Sequence, residues 1–488
     1  MSGPRDRAAC GAESFGRLLP FASAGMPAFP GMLRALGPGV VWMALAQGSG
    51  ELVWWPYIVA KYGLGFLFLL VPACLLQYPL NYQIGLYTAL TGESVWQGLV
   101  RLNRWFGAVL WLLMTVSFLW LGGFVTAGGM AELTDFPGGW SGEHRRLFWG
   151  YVFVGLFLAA LLLSRVMYLL IEKVMWVVSI VTLAGLTAAC MHPRVRGTAG
   201  EFFAGLVRPS WPSGRVWDGP ADATKLLTAI TFAGLGGFWA LFYSYWLREK
   251  NTGMGARFGR ITSPITGRPE VIPDRGYVPD EAAESRLNWR RWRRFLVVDI
   301  GVGIVGNLVT TIMTCWLAYA LLFPERRLPT DAQPVEAQRA FFAASWGRFG
   351  GAMFLVLATL FLADTWLTTV DAVSRVHTDI LHCYLPRVAR RLSHRGWYWV
   401  FAVFATAITC FTMPLEQPGR LILYSSVVGF VGTVSFSFGL LIWNHAVLPR
   451  HLPAYARPGR LALIAMAVSC AAYTALAVAY ARERLGHG

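Results

Sequence analysis

Long apolar runs recur along the whole chain, and they constrain its fold more than any other feature. Each run holds about 20 predominantly apolar residues, which is the length that a helix needs to cross a bilayer. Eleven such runs can be recognised, at roughly 38–59, 63–90, 105–130, 147–165, 170–191, 223–247, 295–323, 349–374, 397–414, 420–443 and 460–481. Because 56% of the residues are hydrophobic and 14% are charged, the chain is predicted to be an all-α polytopic membrane protein with about 11 transmembrane helices.

Basic residues are distributed unevenly between the two sides that these helices would define. With the N-terminus inside, 27 of the 42 Lys and Arg residues fall on the inner side, 11 of them in the loop 248–294. This excess follows the positive-inside rule. We therefore expect an integral, multi-pass protein of the cytoplasmic (inner) membrane with its N-terminus inside and its C-terminus outside. The net charge of +16 then reflects topology and gives no reason to expect a nucleic-acid partner.

The loop 248–294 leads into RLNWRRWRRF, residues 286–295, where basic residues alternate with tryptophans. Such a segment is typical of a juxtamembrane helix that lies on anionic headgroups, with about 1 kcal/mol gained for each basic residue near the surface. Lipid headgroups near 286–295 are thus one expected partner, and the transported cation or small solute is the other. The oligomeric state stays open, and a monomer is compatible with the sequence.

The first apolar run, GPGVVWMALAQGSGELVWWPYIVAK, is interrupted at its centre by Gln47, Gly48, Ser49, Gly50 and Glu51. Two glycines weaken the helix, and the serine between them can cap a restarted one. A glutamate at this depth costs several kcal/mol unless it faces protein, water or an ion. A membrane helix broken around a carboxylate is typical of a transporter binding site, because the break frees backbone groups to hold a solute.

The sixth run is interrupted in the same way at Gly234, Gly236 and Gly237, which are followed by Phe238 and Trp239. Matching interruptions five runs apart are the pattern of an inverted-repeat transporter. The pattern predicts a 5+5 inverted repeat, with runs 1–5 and 6–10 as the two halves, in which helices 1 and 6 are broken. Aromatic side chains lie near both breaks, so the breaks could enclose an organic solute rather than an ion.

This repeat divides the chain into five parts. We expect a loose cytoplasmic N-terminal lead over 1–36, a first five-helix repeat over 37–191 and an extracellular loop over 192–222. The second five-helix repeat covers 223–443 and includes the cytoplasmic loop 248–294. Helix 11 and the C-terminus follow over 444–488.

The eighth run is unusually polar for a membrane helix. Asp364, Thr368 and Asp371 share one helical face, and Arg375 lies four residues after Asp371. Two interpretations stay open for this face: a bundle-facing ion pair with satisfied threonines, or a coupling site for a second ion or a proton. Ser426 in the tenth run is a further candidate for substrate or ion binding, although serine in such a run more often serves packing.

The residues that enzymes and metal clusters require are missing from this pattern. The seven cysteines are scattered without a C-x-x-C pair, and the sequence contains neither an H-E-x-x-H motif nor a nucleophile–base pair. We therefore expect a protein that is not an enzyme and needs no cofactor. A membrane-embedded enzyme or a non-transporting receptor on the same scaffold are the alternatives from other functional classes.

Several stretches together resemble the Nramp family of divalent-metal transporters. They are GPG at 37–39, YLLIEKVM at 168–175, AQRAFFAASWGRFGGAMFLVLATLFLADTWLTT at 337–369 and RLILYSSVVGFVGTVSF at 420–436. The resemblance implies eleven helices, a LeuT-type inverted repeat, alternating access around helices 1 and 6, and ion symport.

The chain departs from the family at the positions that bind metal. The family's D-P-G-N motif falls on Gly48, Ser49, Gly50 and Glu51, so its Asp and Asn ligands are absent. Its M-P-H motif falls on Gly236, Gly237 and Phe238, its tenth-helix glutamine on Ser426, and its third-helix acidic residues on Thr115, Gly122 and Val125. The soft-metal ligands and the usual proton path are therefore both missing.

Three roles for Glu51 remain open at this point. It could stabilise the start of a helix through the helix dipole, act as a metal ligand together with Gln47, Gly48, Ser49 or Asp364, or couple proton movement to an organic solute. The candidate substrate- or ion-binding residues are Gln47, Gly48, Ser49, Glu51, Gly234, Gly237, Phe238, Trp239 and Ser426. Oxygen ligands favour a hard divalent cation such as Mg²⁺ over Fe²⁺ or Mn²⁺, and an ion-coupled transporter of a small organic solute such as an amino acid is the alternative.

Overall fold

The helices follow the apolar runs of the sequence. The computed structural model describes residues 16–163, 167–212, 217–268 and 270–485, without the side chains of Ser49, Met167, Tyr168 and Leu170. Within these residues, eight helices are long and apolar enough to cross a membrane. Three further crossings are interrupted or more polar, and they begin at Pro38, Gly219 and His394. The predicted all-α polytopic fold is confirmed.

The membrane helices are numbered in chain order. They are α1 (Pro38–Ala46, continued by a π-helix over Gln47–Trp54 and an α-helix over Trp55–Tyr62), α2 (Leu70–Thr91), α3 (Arg104–Ser117), α4 (Gly142–Leu163), α5 (Met167–Cys190), α6 (Gly219–Thr231 and Tyr243–Glu249), α7 (Ala283–Leu321), α8 (Ala340–Tyr384), α9 (His394–Thr412), α10 (Pro418–Ile442) and α11 (Arg460–Leu485). α3 continues through a 3₁₀ turn into Gly122–Thr126. α8 is kinked at Trp346 and Gly347, where the backbone is not helical.

Short helices and one small sheet connect the membrane helices. The short helices include Met32–Ala35, Val95–Leu102, Met130–Leu133, Pro193–Arg196, Ala199–Gly205 and Pro386–Ala389. Strand β1 (Ala22–Ala24) pairs in parallel with strand β2 (Tyr277–Pro279). Residues 16–36, 248–294 and 375–395 contact one another on one side of the molecule, which we call the basic side.

Local sequence sets several helix ends. The Asn103 side chain accepts hydrogen bonds from the backbone amides of Trp105 and Phe106 at 2.9 and 3.1 Å, which caps the start of α3. Ser393 caps α9 by accepting from the amide of Gly396 at 3.1 Å. α2 ends at Gly92, whose φ of 71° lies in the left-handed region that glycine adopts at low cost.

Helix α1 lies at the centre of the bundle. It packs against α5, α6, α7 and α8, and nearly all of its residues are buried. Its backbone approaches α7 closely, since a methyl group on Gly39 would lie 2.0 Å from the carbonyl oxygen of Asp299. The Asp299 carboxylate accepts from the amide of Gly37 at 3.4 Å and from the Tyr243 hydroxyl at 2.8 Å. A buried carboxylate therefore holds the first turn of α1 against α6 and α7.

The N-terminal lead is packed rather than loose in its described part. Residues 16–36, which we call the strap, cross the basic side, while residues 1–15 of the predicted lead lie outside the described residues. Met26 in the strap is buried, and its amide donates to Ser285 at the start of α7. Composition alone did not predict this packing, because its partners, such as Arg101 and Ser285, are distant in sequence.

The close approach at Gly39 generates a stability prediction. Gly39→Val should shift the midpoint of thermal unfolding in detergent downwards, because the new side chain would overlap the Asp299 backbone and overpacking costs about 1–3 kcal/mol. The matched control is Gly155→Val in α4, since a methyl group at Gly155 would meet no atom within 4 Å. Equal midpoints for the two variants would contradict the assigned α1–α7 contact.

Candidate functional site

The interruption of α1 is a π-helix over Gln47–Trp54, where the sequence predicted an unwound break. A π-helix leaves some carbonyl groups without their usual partners, and it is frequent at functional sites. Here Thr314 of α7 donates to the carbonyl of Glu51 at 3.3 Å, and Gln338 donates to the carbonyl of Leu52 at 2.8 Å. Side chains from other parts of the chain thus donate hydrogen bonds to the carbonyl groups of the π-helix. The helix therefore does not need to unwind to pair these carbonyls.

The two glycines of this segment are points of close packing. A methyl group on Gly48 would lie 2.1 Å from Oγ1 of Thr365 in α8, and one on Gly50 would lie 2.1 Å from Cβ of Phe232 in α6. Glycine at these positions therefore lets α8 and the α6 break approach the α1 backbone. The Ser49 side chain lies outside the described side chains.

The interruption of α6 is a true break, as predicted. Residues 232–236 are not helical, and a 3₁₀ turn over Gly237–Phe242 leads into the second half of the helix. Gly234 and Gly237 have φ angles of 97° and 65°, which side chains other than glycine rarely adopt. The backbone of Gly234 faces the Glu51 carboxylate.

Glu51 points into the protein interior with an unsatisfied carboxylate. Its side chain is buried, and neither carboxylate oxygen has a hydrogen-bond partner among the described residues. The groups that face it are the Thr311 hydroxyl and the Asn307 amide of α7, together with the backbone of Gly234. Among the described residues, neither polar atom of the Asn307 side chain meets hydrogen-bond geometry with any group. A buried carboxylate without partners is unstable in a membrane interior unless a cation or a proton balances it.

A cavity of about 30 Å³ lies beside Glu51, between α1, α5, α7 and α8. Its polar lining comes from Gln47, Glu51, Thr182, Thr310 and Thr314, and the remainder is apolar, mostly phenylalanine and leucine. Gln47 donates to Thr310 at 3.1 Å, which leaves its carbonyl oxygen unpartnered. The cavity holds about one water molecule or one small ion, and its polar groups are mostly oxygen atoms.

One polar face of α7 completes this site and was not predicted from the sequence. Asn307, Thr310, Thr311 and Thr314 occupy positions i, i+3, i+4 and i+7 of the helix. This spacing places all four side chains on one face. A polar stripe inside an otherwise apolar span was therefore the available signal.

The predicted coupling residues of α8 separate into two environments. Asp364 is buried, accepts from Thr368 at 3.3 Å and has one oxygen without a partner. Asp371 instead accepts from Arg375 at 3.0 Å and from the Tyr398 hydroxyl at 2.7 Å. Asp371 thus belongs to an ion pair, whereas Asp364 retains capacity to bind.

Three other predicted binding residues do not line the cavity beside Glu51. Phe238 stacks on Trp96 and packs against Phe436 of α10. Trp239 donates to Thr369 of α8 at 2.8 Å. Ser426 shares a 2.6 Å hydrogen bond with Thr228, which joins α10 to the first half of α6. These contacts are those of packed helix interfaces, and they do not bring the three residues into the Glu51 cavity.

Three consecutive charged residues attach the end of α6 to neighbouring helices on the basic side. Arg248 pairs with Asp379 of α8 at 3.0 Å, and Lys250 pairs with Glu172 of α5 at 2.6 Å. Glu249, between them, pairs with Arg375 of α8. Because these charges are buried or nearly so, each depends on its partner, and the basic side is closed below the site.

Two comparisons with known proteins concern the fold. A manganese transporter of Eremococcus coleocola, solved with an aromatic bis-isothiourea substituted compound, superimposes with a TM-score of 0.62 at 14% identity, covering 93% of this chain and 88% of that chain. Mhp1, a nucleobase-cation-symport-1 family transporter in a closed conformation with bromovinylhydantoin bound, superimposes with a TM-score of 0.51 at 10% identity, covering 93% and 95%. The chain has a LeuT-type fold.

At these identities the LeuT-type fold is the extent of the likeness, and neither neighbour's substrate transfers to this chain. No protein-family model matches the chain, and the search of curated proteins finds no match. The predicted inverted-repeat architecture, with its second break in α6, agrees with the LeuT-type fold.

The buried ion network generates a second stability prediction. Arg375→Met should destabilise the protein by about 3–5 kcal/mol, because Glu249 and Asp371 would remain buried without their cation. The measurement is the free energy of unfolding in mixed micelles. Arg420→Met is the control, since Arg420 pairs with Glu416 at the surface, where such pairs contribute about 0–1 kcal/mol.

A further substitution tests the cause of that loss. Adding Glu249→Gln and Asp371→Asn to Arg375→Met removes the unpaired charges and should recover part of the stability. If Arg375→Met unfolded no earlier than Arg420→Met, the buried network would not stabilise the end of α6.

Proposed function

We propose that this protein is a secondary active transporter that works by alternating access and binds a hard cation at Glu51. The observation that carries the proposal is the group of buried oxygen atoms without partners on Glu51, Gln47 and Asn307. Oxygen donors of this kind suit Mg²⁺, Ca²⁺ or a monovalent cation. The similarity of fold to two transporters supports the transport part of the proposal.

A second carboxylate would help to balance the charge of a divalent cation. Asp364 of α8 is our candidate for the second carboxylate, because one of its oxygens lacks a partner. Its neighbour in the chain, Thr365, contacts α1 at Gly48. We therefore propose a Mg²⁺-like cation as the first substrate, with Glu51 as a ligand and Asp364 as the residue that balances or couples its charge.

Sulfur atoms are less suitable than oxygen atoms as ligands for a cation at this site. The thiols of Cys74 and Cys315 are near enough to interact electrostatically with Glu51. Among the described residues, however, neither cysteine nor methionine lines the cavity beside Glu51. The donor set thus favours hard cations over Fe²⁺ or Mn²⁺.

A small organic solute, carried by ion coupling, is the second candidate substrate. Trp239 contacts Phe118, Phe124 and Phe232 near the α6 break, so aromatic surface is available there. In this conformation these rings pack against one another, and the cavity of about 30 Å³ is far smaller than the pockets of about 300–1,000 Å³ that bind organic ligands. We therefore rank the cation first.

The cation proposal is tested with purified protein in liposomes. Uptake is measured for Mg²⁺, Ca²⁺, Mn²⁺ and a panel of amino acids. Glu51→Gln should lower cation uptake by about tenfold or more, because the loss of a contact to a charged group costs about 1.5–3 kcal/mol. Glu416→Gln is the control, because Glu416 lies at the surface. Asp364→Asn should lower uptake of a divalent cation as well.

The outcomes of this panel separate the alternatives. Full activity in Glu51→Gln would leave Glu51 only a role in stabilising the helix. Uptake of Mn²⁺ at micromolar concentration would contradict the argument from hard ligands. Uptake of an amino acid without net cation uptake would favour the organic solute.

We also propose that the basic side faces the cytoplasm and contacts anionic lipid. At the start of α7, Arg290, Arg291, Arg293 and Arg294 are exposed, whereas Trp289 and Trp292 are buried in the protein. Val297 and Val298 follow the arginines and are also exposed. This order places a cationic band directly before an apolar face, as expected at a membrane surface. These arginines therefore contact the lipid headgroups, whereas the two tryptophans pack against the rest of the protein.

The lipid proposal is tested by native mass spectrometry of protein extracted with phosphatidylglycerol. Arg290→Gln combined with Arg294→Gln should retain fewer anionic lipids, because about 1 kcal/mol is lost for each basic residue. Arg208→Gln combined with Arg348→Gln is the control, since both arginines are exposed and are predicted to lie on the outer side. Equal retention by the two double variants would contradict the proposed lipid contact.

A further inference from the structure

The strap, residues 16–36, is fastened to the basic side through its backbone. The amide of Met26 donates to Ser285 at 2.9 Å, and its carbonyl accepts from Asn288 at 3.2 Å. The carbonyl of Pro27 accepts from the Trp292 indole at 2.9 Å. These donors and acceptors lie on the first turns of α7, so a buried polar face of α7 holds the strap in place.

Further contacts extend this attachment in both directions. Before Met26, Ser23 pairs with Val278 in the two-stranded sheet, and Arg257 donates to the carbonyl of Gly25 at 2.7 Å. After Met26, the Phe29 ring packs edge-on against Trp292, with ring centroids 4.9 Å apart. The strap is thus fixed from β1 to Phe29.

The first part of the strap is held less closely. Two cavities of about 220 and 630 Å³ lie beside residues 16–21. The contacts of this part include hydrogen bonds from Arg101 to the carbonyl of Leu19 at 2.7 Å and from the amide of Gly16 to the carbonyl of Cys383 at 3.2 Å. The Arg101 guanidinium also lies 4.2 Å from the centre of the Phe21 ring.

The strap continues directly into α1. The short helix Met32–Ala35 follows Phe29 after two residues, and Leu36 and Gly37 connect it to the first turn of α1. The Gly37 amide is held by Asp299, and Gly37 lies beside the Lys250–Glu172 pair. Gly37 follows Phe29 by eight residues, and the Met32–Ala35 helix shortens this link below the roughly 26–29 Å of an extended chain. Movement of the start of α1 away from α7 therefore pulls on the strap once this link is drawn out.

We propose that the strap is a latch that keeps the basic side closed and must detach from α7 and β2 before the start of α1 can leave Asp299. The inference rests on the proposed function, because alternating access requires the basic side to open towards Glu51. Strap release and separation of α1 from α7 are then one event. The strap adds to the ion pairs at the end of α6 and acts on a different helix.

The test links the strap covalently to β2. Ser23 and Val278 are register partners at accessible positions, so Ser23→Cys with Val278→Cys can form a disulfide at neighbouring-strand spacing. Cys10, outside the described residues, is replaced by Ser, and the described cysteines are buried or half-buried. Each single-cysteine variant, oxidised in the same way, is the control.

Two readouts follow oxidation. Cation uptake into liposomes should fall about tenfold or more in the linked protein and recover on reduction. A tenfold fall means that opening of the basic side costs about 1.4 kcal/mol more in the linked protein. Labelling of Val41→Cys by a maleimide from the basic side should slow to the same extent. Val41 is fully buried in α1, so a reagent reaches it only when that side opens.

The two readouts separate failure of the latch from failure of the proposed function. Unchanged labelling of Val41→Cys in the linked protein would overturn the latch. Slower labelling in a protein whose unlinked form transports no cation would support the latch and refute the proposed transport. Asn288→Ala, which removes one attachment, should instead accelerate labelling, and an unchanged rate would count against the assigned contacts.

Discussion

The buried carboxylate of Glu51 is the constraint on which the rest of this structure depends. A membrane interior penalises an ionised group without a partner by several kcal/mol, and Glu51 lies in the helix that α5, α6, α7 and α8 surround. The protein responds by turning the Asn307–Thr314 face of α7 and the broken backbone of α6 towards it. Among the described residues these groups lie close to the carboxylate, but none meets hydrogen-bond geometry with it, so the site retains capacity for a cation.

Backbone groups meet the same constraint in a different way. Every carbonyl inside a bilayer needs a donor, and the widened turn of α1 obtains two of them from Thr314 and Gln338. The same rule governs the basic side, where side chains of α7 satisfy the strap backbone at Met26 and Pro27. Irregular backbone is thus stable in this protein where a neighbouring helix supplies the missing partners, and those contacts connect the site to the basic side.

Much of the fold could be predicted because its signals are local. Apolar runs and the paired glycine interruptions indicated eleven helices with breaks in α1 and α6, and the α6 break occurs at Gly234 and Gly237 as predicted. The candidate site was predicted less well. Phe238, Trp239 and Ser426 pack into other interfaces, and the polar face of α7 was missed although its spacing was readable. Whether Asp371 binds an ion or pairs with Arg375 depended on Glu249 and Tyr398, which are distant in sequence.

The sequence by itself determined the membrane class, the helix positions and the placement of one carboxylate in the centre of α1. These follow from hydropathy and from glycine chemistry, which act within a few residues. Tertiary structure alone decided that α1 continues as a π-helix, that α7 faces Glu51 and that residues 16–36 are attached to the basic side. Those outcomes depend on which residues, distant in sequence, come within hydrogen-bonding distance in the folded protein. Local sequence patterns do not show which residues these are.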